Sequence, residues 1–317
     1  MITRVSTLEM SHEEWLAERR KSIGGSDAGA LLGLNPYCSP YALWAEKTGK
    51  HLPDDISDKE SVRLGKDLED YVATRWQQAT GKKLRRDNAF VYNSDHPYAH
   101  VLADRLVVGE RAGFEAKTTS SWDVIKRIQD GKVPDAWYCQ CVHGMMVTGL
   151  DKWYLGALCF GVGFFHFEYI RNGAEITALA AAERGFWANV TNNIPPAIDG
   201  TEATTEALQT IFSESAAGSV CDLAAVSDSI DLLREVRQKK KELDFIENEA
   251  KNTIMEYMGE IERGSHPQAS VSWKKSVKSV FDKHKFFQDH PEIDYKPYIT
   301  ETPNRIFRIT YKNTDKE

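Results

Sequence analysis

The sequence predicts an α/β fold, a central mixed β-sheet flanked by helices with a helical and β appendage at the C-terminus, and three observations predict it. Leu64, Leu68, Val72 and Trp76 recur at four-residue steps across 63–80, the period of an amphipathic helix. The stretch from Tyr98 to Val108 reads as a strand that passes through Gly109, Glu110, Arg111, Ala112 and Gly113 into a second strand over 114–119, a β-hairpin. A helix expected from Pro134 to Gly149 is followed by two more strand-like runs, 153–160 and 164–169. Strands bracketed by helices on either side make a layered architecture with an antiparallel hairpin in its sheet.

The other elements follow in order. Ser11 and Glu14 have the spacing of a capping box, which starts a helix through Trp15 and Leu16 to about Lys21. Gly24 and Gly25 break it, and Ser26 or Asp27 is the expected cap of a second helix ending near Gly33. A third begins at Pro40 and closes at Gly49, and another is expected over 174–193. The Thr-, Ala-, Glu- and Ser-rich stretch after Pro195 and Pro196 reads as a linker, giving a domain over 1–198, a linker over 199–224 and a C-terminal module over 225–317. In that module Val236, Leu243, Ala250 and Tyr257 recur every seven residues, with Ile246 and Ile254 between them. This is the pattern of a long helix with an exposed face: half of a helical hairpin, an oligomer arm, a dock for a partner, or a segment folded back on the core. Strand-like runs stand at 269–274 and 304–311, around a short helical or irregular excursion over 281–290.

Of the 317 residues, 41% are hydrophobic and 27% charged, the proportions of an ordinary soluble protein. No window nears the roughly 20 apolar residues of a membrane span, which argues against a membrane role. Met1 to Met10 lack the apolar core of a secretory signal, so a cytoplasmic location, the cytosol of a bacterial host, is expected. The five cysteines show neither paired CxxC spacing nor a disulfide rhythm; they are expected to be reduced, and they lack the arrangement an iron–sulfur cluster needs. The formal charge of −7 is not the basic footprint of a nucleic-acid binder, but a cleft can be electropositive within an acidic molecule. Local basic segments stand at Arg19, Arg20 and Lys21, at Lys82, Lys83, Arg85 and Arg86, and at Lys239, Lys240 and Lys241.

The hairpin carries the chemistry. A turn centred between Glu110 and Arg111 sets Asp104 opposite Lys117 and Leu106 opposite Glu115, so that Asp104, Glu115 and Lys117 share one face while Ala116 points the other way. Diagonal neighbours in such a pair are about 7–8 Å apart. Two carboxylates that close repel and raise each other's pKa unless a cation separates them, and a hard divalent ion such as Mg²⁺ meets that need. Lys117 can then orient an attacking water and stabilise the charge growing on a phosphorane. Glu69, on the preceding helix, can complete the metal shell, and Gln140, on the following one, can orient water or a phosphate. In isolation the D…ExK spacing is short and common, and it equally describes a surface salt bridge; here it is embedded in apolar strand sequence.

With those residues in view, the chain resembles the YqaJ-like, phage-lambda-exonuclease-like viral recombinases of the PD-(D/E)XK nuclease superfamily. The matches fall in family order: Trp15 with Arg19, then Ile23 to Asp27, then Leu64 to Glu69, then Asp104, Glu115, Ala116 and Lys117, then Gln140 and Val147 to Gly149. The resemblance implies a restriction-endonuclease-like core in which Asp104, Glu115 and the backbone carbonyl of Ala116 hold Mg²⁺ or Mn²⁺, Glu69 assists and Lys117 is the catalytic lysine. It implies degradation of linear duplex DNA from 5′ to 3′, leaving 3′ single strands for annealing, with Arg19 and Ser26 on the 5′-terminal phosphate. A hydroxyl and a guanidinium beside the amides of a helix start make a good anion site on physical grounds as well. The implied partners are duplex DNA ends, a phage single-strand annealing protein and further copies of the chain in a homo-oligomer, a trimeric ring.

The chain departs from the family pattern at three positions. Ala103 replaces the proline before the aspartate, where the residue shapes a bend and supplies no ligand. Leu102 stands where a serine contacts the terminal phosphate, and Val142 where a second glutamine is expected. A related endonuclease and a catalytically silent DNA-binding or protein-interaction module on the same fold are the competing readings, since one fold serves many functions. The intact set of Glu69, Asp104, Glu115 and Lys117 argues against the silent module.

Overall fold

A computed structural model describes residues 1–52, 55–294, 296–300 and 305–311. The chain separates into two compact units, Met1–Glu214 with Asn304–Glu317, and Ser215–Pro303.

The first unit begins with a strand, β1 (Ile2–Ser6), and a helix, α1 (His12–Arg20), started by Ser11 and Glu14 in the reciprocal capping box the sequence predicts. Next come α2 (Gly25–Leu31), α3 (Pro40–Lys47) with Ser39 capping Ala42, and the amphipathic α4 (Glu60–Thr80), closed by Gly81 at φ 72°. Short strands follow: β2 (Leu84–Arg86), β3 (Ala89–Asn93), β4 (His100–Val101) and β5 (Arg105–Val107), then the longer β6 (Ala112–Thr119). After them lie α5 (Trp122–Gln129), α6 (Asp135–Thr148), β7 (Lys152–Cys159), β8 (Gly163–Ile170), α7 (Gly173–Thr191) and α8 (Glu202–Ile211).

Among the described residues the main sheet runs β2-β5-β6-β7-β8. Only β6 and β7 pair in parallel, with α5 and α6 as their crossover; the other pairs are antiparallel, so the sheet is mixed as expected. β1, β3 and β4 form a second, antiparallel sheet. On one face of the main sheet Phe114 and Tyr154 pack against Val72 and Trp76 of α4. On the other, Trp153, Leu155 and Ala157 meet Cys141 and Met145 of α6. Trp153 lies so close to Gly113 and Gly144 that a β-carbon on either would fall 2.4 Å or 2.6 Å from its ring; the contact exists because both residues are glycines.

Four expectations are corrected up to Glu214. The 98–108 run is not one strand: β4 and β5 belong to different sheets, and the chain breaks between them at 102–104. The hairpin turn lies one residue earlier than expected, because Gly109 takes the left-handed conformation at φ 83°; Arg105 pairs with Phe114 and Leu106 with Gly113. Neither Ser26 nor Asp27 caps α2. Gly24 is the cap and Asp27 sits at the third helical position, its carboxylate accepting the Gly24 N–H. Within the expected linker 199–224, α8 is a helix docked on α3, with Ala207 fully buried and the Thr204 hydroxyl donating to Ser39 Oγ.

The second unit contains α9 (Ser227–Met258), the long helix read from the heptads, then the antiparallel hairpin of β9 (Arg263–His266) and β10 (Ala269–Ser272), and α10 (Lys283–Asp289). Met258, at the end of α9, is buried beside that hairpin. The strand expected over 304–311 is absent from 305–311, and its first residue lies outside the described residues. No described helix is long and apolar enough to cross a membrane.

Candidate active site

The break before β5 positions the site. Carried one residue past the end of the strand, the register sets Asp104 across from Glu115 rather than across from Lys117. A shift of two residues in the pair preserves which face each side chain occupies, so Asp104, Glu115 and Lys117 remain together. Asp104 Oδ2 accepts the Ala116 backbone N–H at 2.8 Å, which pins the loop end to β6. Lys117 Nζ donates to Glu115 Oε1 and to Gln140 Oε1, both at 2.8 Å, and Gln140 Nε2 donates back to Glu115 Oε1. Lysine, glutamate and glutamine thus close a three-membered ring of hydrogen bonds between β6 and α6.

Glu115 is only 4% exposed. Burial, reinforced by the neighbouring carboxylates of Glu115 and Glu69, pushes the Asp104 carboxyl far above its usual range. Burial likewise leaves Glu115 raised, although Lys117 pulls it down. Burial alone would lower Lys117, but Glu115 and Asp104 hold its ammonium above the usual lysine range. The cluster therefore sets two buried acidic groups against one ammonium, and ionising both leaves it short of one positive charge.

Glu69 reaches the cluster from α4 through Arg105, which bonds both its carboxylate and the Asp104 backbone carbonyl, and its charge helps to raise Asp104 and Glu115. Arg105 also binds Asp70 at 2.5 Å. Among the described residues no three His, Cys, Asp or Glu side chains gather closely enough to hold a metal ion by themselves. Magnesium is commonly held through one or two carboxylates, with waters and substrate phosphate filling the remaining positions. The all-oxygen donors and the missing positive charge at Asp104 and Glu115 fit that kind of ion.

Arg19 and Ser26 are also brought together: Arg19 Nη2 donates to Ser26 Oγ at 3.0 Å, and its guanidinium lies 5.1 Å from the centre of the Trp15 ring. Ser26 follows Gly25, whose α-carbon faces the side chain of Gln140, the glutamine bonded to Glu115 and Lys117. Val142 is buried in the core away from these contacts.

Sequence reasoning missed the groups that hold the site in place. Lys47 binds Asp27 at 2.6 Å and the carbonyls of Arg19 and Ser22, tying α3 to the start of α2. Burial raises the Asp27 carboxyl, but Lys47 and Arg19 outweigh it and leave it lowered. His143, one turn beyond Gln140, is fully buried and bonded to Glu183 at 2.7 Å and to the His100 carbonyl at 2.7 Å. Arg105 offered a signal, a cation inside apolar strand sequence next to Asp104; the partners of Lys47 and His143 lie too far along the chain to be read locally.

Against known proteins, the profile of the YqaJ-like viral recombinase domain matches residues 14–151. The chain is 34% identical over 305 residues to the uncharacterized protein YqaJ of Bacillus subtilis, covering 95% of each. In three dimensions it is similar to the alkaline exonuclease LHK-Exo of Laribacter hongkongensis in complex with dAMP, with a TM-score of 0.49 and 19% identity over 57% of this chain and 94% of that one. A phage related exonuclease from Haemophilus somnus gives a TM-score of 0.38 and 11% identity over 57% of this chain and 99% of that one.

Proposed function

We propose that this chain, which belongs to the YqaJ-like viral recombinase family, is a metal-dependent deoxyribonuclease that degrades linear duplex DNA from 5′ to 3′. The observation that carries the reading is the ring formed by Lys117, Glu115 and Gln140 beside the buried Asp104. An ammonium held among carboxylates and an amide is wasted on fold stability, since buried ion pairs contribute little net; it is well placed to orient water and to neutralise charge on a phosphorane.

Asp104, Glu115 and the Ala116 carbonyl are the residues that would hold Mg²⁺ or Mn²⁺, with Glu69 assisting across the Arg105 pair. When bound, such an ion supplies Lewis acidity at the phosphoryl oxygen and acidifies water. Gln140 fixes the direction of the Lys117 ammonium through its side-chain carbonyl. Arg19, bonded to Ser26 next to the Gly25 contact with Gln140, and Ser26 itself support a role in holding a 5′-phosphate and so setting polarity. On the same reading, resting on the family resemblance, the protein works in the cytosol on duplex ends as a trimeric ring and passes 3′ single strands to a phage annealing protein.

The test is digestion of linear duplexes labelled at either end, with and without a 5′-phosphate, in Mg²⁺ and in EDTA, for the wild type and Lys117→Ala. Release of the 5′ label first, in Mg²⁺ alone and absent from Lys117→Ala, is expected. Binding of DNA without any cleavage would establish a silent module, and internal cuts in a closed circle an endonuclease.

A further inference from the structure

We propose that the long helix α9 docks an amphipathic helix of a protein partner whose apolar stripe is bordered by a row of lysines or arginines. The helix runs roughly 48 Å at 1.5 Å per residue, and within its own unit most of it is bare. Leu232, Val236, Leu243, Ile246, Ala250 and Tyr257 fall on one stripe at heptad spacing. Leu232, Leu243, Ile246 and Tyr257 are 60%, 64%, 59% and 93% exposed. A single exposed leucine needs no explanation, but six apolar residues recurring on one face over nearly four heptads, interrupted at Lys239 and Thr253, do.

Charge indicates what covers it. Asp228, Glu235, Glu242, Glu249 and Glu256 follow one another at strict seven-residue intervals, all exposed, along one border of the stripe. In heptad terms they all occupy the same one of the two flanking positions that face a partner helix. The opposite border, Leu233, Lys240, Glu247 and Ile254, is mixed. Glu235 also bonds Lys239 within the helix at 2.5 Å, so the one lysine lying in the stripe is already tethered to the acidic row.

These borders decide between occupants. A second copy packed antiparallel would set the acidic row against itself. A second copy packed parallel would set it against the mixed border, gaining Glu235 with Lys240 and losing as much at Glu242 with Glu247. Nucleic acid and anionic membranes are repelled by the row. A helix with apolar residues at heptad spacing and cations at the facing border satisfies both the stripe and the row, with the cations setting partner choice and the stripe supplying affinity.

The probes are two synthetic four-heptad peptides with identical leucine and isoleucine stripes, one carrying lysine and the other glutamate at the borders. They are titrated against the full chain by fluorescence anisotropy. The lysine peptide is expected to bind at least about tenfold more tightly, with the preference fading at high salt. The pair Glu242→Lys and Glu249→Lys should move preference toward the glutamate peptide, and Leu243→Glu or Leu232→Glu should abolish binding of both while circular dichroism shows the helix retained. Binding of neither peptide, equal binding of both, or a preference unmoved by the charge swap would overturn the proposal. So would a wild-type oligomer that Leu243→Glu alone converts to monomers, because the face would then belong to a second copy. None of these readouts depends on cleavage of DNA.

Discussion

Gly25 lies directly against Gln140: a β-carbon added to the glycine would stand 3.0 Å from the glutamine Cγ. The contact joins the start of α2, with Ser26 and Arg19, to the helix that holds Lys117 in place. Gly25→Ala should therefore act on Gln140 rather than on folding, since the contact is tight by only a few tenths of an ångström. A drop of about tenfold in the DNA-digestion rate is expected, in line with the cost of sub-ångström misplacement near a reacting centre. The melting temperature should move by no more than a degree or two. Unchanged digestion would show that Gln140 tolerates displacement and does not orient Lys117.

Asp104→Asn separates stability from activity. The buried carboxyl is raised by burial and by Glu115 and Glu69, so removing its charge relieves repulsion while the amide oxygen can still accept the Ala116 N–H. Without divalent ions, the variant should be more stable than the wild type by about 1–2 kcal/mol, the usual range for relieving a strained functional site. It should have no nuclease activity. Adding Mg²⁺ should raise the melting temperature of the wild type and leave that of the variant unmoved, because only the native donor set gains binding energy. A wild type indifferent to Mg²⁺ in thermal melts would contradict metal binding at Asp104.

How much of this could be read from the chain depends on the range of the interaction. The shared face of Asp104, Glu115 and Lys117 was legible because strand parity survives a two-residue error: the turn moved with Gly109, yet every side chain kept its side of the sheet. Capping and heptad signals are local too, and α1 and α9 stand where Ser11 and the Val236 to Tyr257 series place them. The helix α5 has a legible signal in Val124, Ile125 and Ile128, whereas β1 has none, its short polar-apolar mixture being a strand only because β3 lies beside it. Arg105, Lys47 and His143 acquire meaning from Glu69, Asp27 and Glu183, contacts that no local pattern encodes.

Arg105 is predicted to matter more to the site than to the fold. Its side chain is buried, whereas its partner Asp70 is largely exposed, so solvent screens part of the pairing. Arg105→Leu should cost about 1–3 kcal/mol, below the loss for a fully buried pair. It also frees Glu69 and releases the Asp104 carbonyl. The expected signature is a higher Mg²⁺ concentration for half-maximal digestion together with a lower maximal rate, whereas a purely structural loss would leave the Mg²⁺ dependence unchanged.

His100 should make the protein acid-sensitive. It is 1% exposed, its Nδ1 pairs with Ser22 Oγ at 2.8 Å, and burial pushes its pKa down to about 3 from an ordinary value near 6.5. Above pH 6.5 the ring is neutral in both folded and unfolded chains, and its contribution to stability is complete. As pH falls below 6.5 the unfolded chain takes up a proton that the folded chain refuses until about pH 3, so the contribution is lost progressively across that window. Each pH unit inside the window can weaken the folding equilibrium by up to about tenfold. His100→Asn keeps a polar group near Ser22 but cannot titrate, so its urea midpoint should fall less steeply between pH 6.5 and pH 4 than that of the wild type. His143 lies within the same network and is raised, burial notwithstanding, by Glu183, which is why the comparison must be made between variant and wild type at each pH. Parallel curves for the two proteins would remove His100 as the origin of the acid sensitivity.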